Sequence, residues 1–186
     1  MITYHFGGSR SLISSPVVYQ VVTASLDAGY SLHVGCAIGA DAQVIQAAIN
    51  KNPARLHVFA AFTAEHFGAW SGSAVATVHA AAQMGARVSY LPRVDLAIPL
   101  AGRLIRRSKT ALSGCNASAF FLATPFSSGS LAVAGAAVRA GQPVFAFSVG
   151  FSGHPDAPRS CIGRWIPAQF MGSSAWRWQP AQSKFF

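Results

Sequence analysis

Acidic residues are scarce. Asp27, Asp41, Glu65, Asp95 and Asp156 are the only five in 186 residues, against 14 lysines and arginines, and the formal charge is +9. The excess owes as much to missing acids as to added bases. It favours polyanionic partners, because a basic surplus attracts phosphates over a Debye length without specific contacts. Charge of either sign is sparse as well, at 10% of residues, so charge density is not what keeps the surface wetted. Cysteine is confined to Cys36, Cys115 and Cys161, odd in number, widely spaced and in no CxxC pair. That pattern excludes a disulfide framework and a cysteine-type structural zinc site, and it fits a reducing compartment. Long apolar runs are missing too: no stretch approaches the roughly 18 residues a membrane helix needs, and the Met1-Ile-Thr-Tyr-His start lacks a secretory pattern. The expectation is a cytoplasmic protein with no membrane contact.

What is present is apolar: 52% of residues, enough for one core and too few for two ordinary domains. Short β-rich runs alternate with alanine-rich stretches. Residues 2–6, 31–34, 56–62, 87–91, 119–123 and 144–147 read as strands, and 16–28, 40–50, 72–85, 96–112 and 130–140 as helices. Several of these helices stop at a glycine (Gly29, Gly85, Gly141), as helices often do. Ala119-Phe-Phe-Leu-Ala123 is apolar at consecutive positions instead of alternating, which implies a strand covered on both faces. The fold class is therefore α/β, a three-layer Rossmann-like sandwich with a mostly parallel sheet spanning residues 1–150. Residues 151–186 change character. They are rich in Gly, Pro, Ser and aromatics, carry Trp176-Arg-Trp-Gln-Pro180 and Ser183-Lys-Phe-Phe186, and read as an aromatic, basic tail packed on its own domain, docking a partner or stacking on bases.

In open parallel sheets ligands sit beyond the carboxyl ends of the strands. Three glycine-containing loops fall there. Gly7-Gly8-Ser9-Arg10 follows the first strand and offers amides, a hydroxyl and a guanidinium to an anion, the plain alternative being an ordinary turn with a surface arginine. Gly35-Cys-Ala-Ile-Gly39-Ala-Asp41 follows the second and opens a helix, whose N-terminus attracts phosphate. Its spacing is neither GxGxxG nor GxxxxGK[ST], and Asp41 reads as the helix N-cap before it reads as a catalytic acid. Pro125-Phe-Ser-Ser128-Gly129-Ser130 follows a third strand and opens another helix. Ahead of that strand lie Arg103, Arg106, Arg107 and Lys109, of which the first three share a helical face, either a solvated basic face or a phosphate contact.

The six histidines are scattered, with His33 and His57 inside apparent strands, and no spacing suggests a metal. Ser113-Gly-Cys115 has no identifiable base partner and GxSxG is absent, so no nucleophile is assigned. Neither a catalytic residue nor a cofactor is expected.

The order of these loops resembles the DNA-processing protein A (DprA/Smf) family, within the SLOG superfamily of Rossmann-like binders. Gly8-Ser-Arg10 matches the family's Gly-Ser-Arg, and Gly35-Cys-Ala-Ile-Gly39-Ala-Asp41 its Gly-x-Ala-x-Gly-x-Asp. Ser128-Gly-Ser-Leu131 with Gly141-Gln-Pro-Val-Phe-Ala146 matches its Ser-Gly-Ser-Leu helix and following strand, and Arg107-Ser-Lys109 is similar to its Arg-Asn-Arg. The anchors cover residues 1–50 and about 103–148. The resemblance implies a basic pocket for single-stranded DNA, with Arg10, Arg107 and Lys109 on phosphates, amides near Gly8, Gly39 and Gly129 lining it, and homodimerisation. The family's added N-terminal helical domain and C-terminal winged helix have no counterpart in these residues, so recombinase loading is not carried over. The phosphoribohydrolases of the superfamily use Pro-Gly-Gly-x-Gly-Thr-x-x-Glu, and no glutamate follows Pro125 here, which favours a non-catalytic protein over an enzyme. Two alternatives stand beside DNA binding: a sensor or processor of a nucleotide ligand, and an accessory subunit of a larger nucleoprotein assembly that docks through its tail.

Overall fold

Each strand of the computed structural model, which describes residues 1–181, pairs as its burial requires. Among the described residues eight strands form one sheet: β1 (Thr3–Gly8), β2 (Ser31–Val34), β3 (Leu56–Phe59), β4 (Arg87–Ser89), β5 (Ala117–Leu122), β6 (Val144–Ser148), β7 (Gly163–Phe170) and β8 (Ser173–Pro180). Their order is β4-β3-β2-β1-β5-β6-β8-β7. The first six pair in parallel, and β8 joins β6 antiparallel, making the sheet mixed but largely parallel. Five helices connect them: α1 (Pro16–Asp27), α2 (Ala40–Lys51), α3 (Gly72–Gln83), α4 (Leu100–Leu112) and α5 (Ser128–Arg139). α2 packs between α1 and α3, while α4 packs on α5, which is the two-faced covering that right-handed crossovers produce. The architecture is the three-layer α/β sandwich that the consecutive apolar strand residues imply, and every residue of β5 is buried.

The chain moves leftward from β1 to β4, then returns through α4 to β5 on the other side of β1. The topological switch point therefore lies between β1 and β5, where a crevice opens at the carboxyl ends of the strands.

Four of the boundaries that shift from the sequence expectation do so for a local reason. β1 runs on to Gly8 because Gly7 and Gly8 pair with Phe120 and Phe121 of β5. β3 stops at Phe59, after which Ala60 gives its N–H to Ser89 O and Ala61 turns its own toward Cys36 Sγ. α4 starts at Leu100, not Leu96, since Pro99 is its N-cap and a residue before proline is held out of the helical region. α5 starts two residues early, at Ser128, and so places Ser128, Gly129 and Ser130 in its first turn.

The segment read as a tail holds β7 and β8, a hairpin that extends the sheet. Trp165 and Trp178 pack edge to face at 5.2 Å across it, and Trp165 Nε1–H donates to Asp156 O at 2.9 Å. Both indoles are buried among the residues covering α5, so the expectation that Trp178 stacks on bases is corrected: its faces are occupied. Trp176 is half-buried against His154. β7 is the sheet's outer strand and carries Pro167, a residue without a ladder donor, in keeping with an edge position. The Ser183-Lys-Phe-Phe186 end lies outside the described residues.

Candidate phosphate-binding cleft

A cleft of about 360 Å³ opens at the switch point, bounded by the end of β1, the start of α5 and the inner side of α4. It gathers Gly8, Ser9, Arg10, Asp41, Arg107, Ser128, Gly129 and Ser130 from the expected set. Gly35, Gly39, Arg103, Arg106 and Lys109 do not line it.

Ser9 ties the first loop to the third. Its Oγ accepts the Ala123 N–H at 2.9 Å and lies 2.6 Å from Ser127 Oγ. Ser127 Oγ–H donates to Thr124 O, so the short contact is made by the Ser9 hydroxyl donating to Ser127. Ser9 also spends its backbone: its N–H goes to Phe121 O and its carbonyl accepts from Leu12 and Ala40. The first loop therefore brings a side-chain cation, Arg10, to the cleft, while the Ser9 amide expected to hold an anion is already bonded.

The second loop is likewise engaged. Gly39 lies in the left-handed region at φ +78°, and a Cβ there would stand 2.4 Å from Arg10 O and 2.5 Å from Ser9 O. Only glycine lets the start of α2 come so close to the first loop, and Ala40 N–H closes the gap onto Ser9 O. Asp41 is not the N-cap expected of it. That position is Gly39, and no side chain caps the helix. Asp41 sits in the first turn, at the second helical position, with its carboxylate accepting the Ala37 N–H at 3.0 Å and an Arg107 Nη1–H at 3.1 Å.

That ion pair is interior: Asp41 is 5% exposed and Arg107 4%. Burial pushes the Asp41 carboxyl up from its ordinary value, opposed by the Arg107 guanidinium and the Ala37 N–H. Gly35 makes the pair possible, since a Cβ on it would coincide with Arg107 Nη1, 1.0 Å away. Arg107 thus departs from its expected place on an open basic face. It reaches the cleft wall with one nitrogen committed to Asp41. The neighbouring bases separate. Arg103 donates to Gly68 O at 2.7 Å and braces the loop after β3, and Arg106 and Lys109 are exposed on α4 outside the cleft.

The third loop retains free donors. An α-helix leaves its first N–H groups without intrahelical acceptors. At α5 these belong to Ser128, Gly129 and Ser130, and the Ser127 hydroxyl, turned to Thr124 and Ser9, does not cap them. With the helix dipole adding roughly half a positive charge there, and Arg10 on the same rim, the cleft mouth is positive. Its floor is neutral, because Asp41 and Arg107 cancel.

Sequence reasoning missed His5, Phe120, Leu104, Ile105 and Phe126, all on the cleft. His5 is 1% exposed, and burial, with Arg107 and His33 nearby, lowers its pKa to about 3, so it is uncharged. The alternation of β1, which puts His5 on the same face as Gly7, was the available signal. Among the described residues no group of three or more His, Cys, Asp or Glu could hold a metal, and no helix is long and apolar enough to cross a membrane.

No family model matches the sequence and no curated protein matches it. Solved structures do. DNA processing protein A from Helicobacter pylori, described in terms of its single-stranded DNA binding mode, aligns with a TM-score of 0.60 over 78% of this chain, at 17% identity. The chain has the fold of DNA processing protein A. The protein of that name from Streptococcus pneumoniae aligns with a TM-score of 0.58, again over 78% of the chain, at 19% identity. This chain spans 64% of the length of the first DNA processing protein A and 50% of the second.

Close packing of the first loop carries its own expected result. A Cβ on Gly8 would stand 2.1 Å from Phe121 O and 2.7 Å from Ala40 Cβ, and the carbonyl is backbone that cannot swing aside. Gly8→Ala is therefore expected to cost about 1–3 kcal/mol, as overpacking of a filled interior does. Urea denaturation checks it, and an unchanged midpoint would show that β1 and β5 can part at no cost.

Proposed function

We propose that the cleft binds single-stranded DNA through its phosphates, without catalysis. The observation that carries this reading is the convergence of the three uncapped N–H groups of α5 with the Arg10 guanidinium on one positive rim. A tetrahedral dianion or diester accepts several such donors at once. The net charge of +9 draws a polyanion toward it, and a fold shared with a protein whose single-stranded DNA binding is described supports the same polymer. The hydroxyls on the rim serve structure: Ser9 is bonded to Ser127, not to a base, so it is no activated nucleophile.

The test is fluorescence anisotropy with a labelled single-stranded oligomer at several salt concentrations. Arg10→Ala is expected to weaken binding about tenfold and to reduce the slope of log affinity on log salt by about one. Equal affinity and slope in the variant would refute phosphate contact at this rim. Arg106→Ala, an exposed arginine on α4 outside the cleft, is the comparison.

A second reading is a free nucleotide as ligand, favoured by the cleft volume of about 360 Å³, near the lower end of small-ligand pockets. Saturable nucleotide binding that survives moderate salt, with no binding of the oligomer, would select it.

A further inference from the structure

Away from the cleft, the loop after β3 brings two imidazoles together nitrogen to nitrogen. His66 Nε2 lies 2.8 Å from His79 Nε2, with ring centroids 4.6 Å apart and planes at 58°. His79 belongs to α3, and His66 is an exposed residue of a loop closed on itself. Thr63 N–H donates to Phe67 O at 3.1 Å, His66 N–H to Thr63 O at 2.9 Å and Ala69 N–H to His66 O at 3.0 Å, while Thr63 Oγ1 accepts the Phe67 N–H at 3.2 Å. The loop holds His66 in the left-handed region at φ +67°, which costs free energy in any residue with a Cβ. The His66 ring also meets the fully buried Phe62 edge to face, which fixes it against the core. Water serves an exposed imidazole nearly as well as a second imidazole does, so the hydrogen bond between the rings offsets little of that cost.

We propose that His66 and His79 form a binding site for a divalent transition-metal ion of the zinc type, each giving its Nε2 lone pair. Imidazole suits such ions, whereas magnesium and calcium take oxygen ligands. Two nitrogens about 2.0–2.1 Å from zinc stand roughly 3.3 Å apart at a tetrahedral angle and roughly 2.9 Å apart at a right angle. A swing of a few tenths of an ångström from 2.8 Å therefore seats the ion. No net proton is lost: the ring that donates through Nε2 changes to its other neutral tautomer, with the proton on Nδ1. Among the described residues no third His, Cys, Asp or Glu completes a cluster, so water fills the remaining positions and the ion exchanges freely. The two ligands are 13 positions apart, on a loop and a helix, so only the fold reveals them as a pair. A bound ion fastens to α3 the same loop that Arg103 of α4 holds at Gly68 O.

The test is a titration of the unaltered protein with zinc chloride at about pH 7.5, where neutral imidazole is available to the metal, followed by NMR of the ring nitrogens. One equivalent is expected to move the His66 and His79 Nε2 signals together and to leave exposed His154 in place, and magnesium chloride is expected to move none of them. By calorimetry, His66→Gln and His79→Gln are each expected to weaken zinc binding at least about tenfold, since losing only a ligand's supporting contact costs that much. His154→Gln is expected to match the parent. No shift at the two rings, earlier shifts at other histidines, or undiminished affinity in either glutamine variant overturns the site. Because the NMR titration uses the unaltered chain, it decides the matter whether or not a variant folds.

Discussion

Arg107→Ala is expected to destabilise the protein by about 3–5 kcal/mol, since removing one member of a buried ion pair leaves the other charge uncompensated. The stranded group is Asp41, 5% exposed, keeping only the Ala37 N–H as a partner. Two further measurements separate this from simple loss of packing. Asp41 escapes by taking up a proton, and its pKa is already raised by burial. The variant's deficit should therefore be larger at pH 8 than at pH 5. Replacing both partners, Asp41→Leu with Arg107→Met, should recover most of the loss, because a hydrophobic replacement of a buried pair is often neutral. Urea denaturation of the three proteins at both pH values checks all of this, and a single variant within about 1 kcal/mol of the parent would mean that water reaches Asp41. Any loss of the proposed DNA binding in Arg107→Ala would therefore report on folding first, and Arg10 is the cleaner probe of contact.

The second large effect is acid lability from His5. Its folded pKa is about 3 against an ordinary 6.5, so between these values the unfolded chain binds a proton that the folded one does not. Stability is complete above about pH 6.5 and falls as the pH drops toward 3, at up to about 1.4 kcal/mol per pH unit. Other groups titrate in the same range. His57, lowered to about 4, and His33 act in the same direction, and Asp41, with its pKa raised, acts against them. The quantity to measure is therefore the difference between the parent and His5→Leu, each unfolded by urea from pH 7.5 to pH 4. The variant's curve should be flatter by the His5 share, and parallel curves would place His5 in contact with water.

The fold was legible because burial leaves a direct trace. Five consecutive apolar residues from Ala119 to Ala123 can only be a strand covered on both sides, and β5 is that strand. Two of the glycine loops pointed toward the cleft for a similar reason, since Gly8 and Gly39 mark places where backbones meet, at Phe121 O and at the Ser9 and Arg10 carbonyls. What a single residue does there was harder to read. Arg107 and Lys109 are two positions apart in one basic run, yet one is interior and the other exposed. The difference is set by a vacant space above Gly35 and a carboxylate 66 positions away, neither of which is local. His5 was missed because its neighbours Phe120 and Arg107 come from β5 and α4, far along the chain. The hairpin escaped because aromatic, proline-containing strands at an edge lack the all-apolar signature of interior ones.

The two halves of the cleft are joined by Ser9 and Ser127, 118 residues apart. During synthesis β1 emerges ahead of β2 and can pair with it within some thirty residues, but its other side has no partner until β5 and α5 are made. At about 5–20 residues per second that wait is on the order of ten seconds. Throughout it the nascent chain presents the open flank of a parallel strand, a template for wrong pairing. The seam that becomes the cleft is thus also the interval in which a growing chain most needs a chaperone.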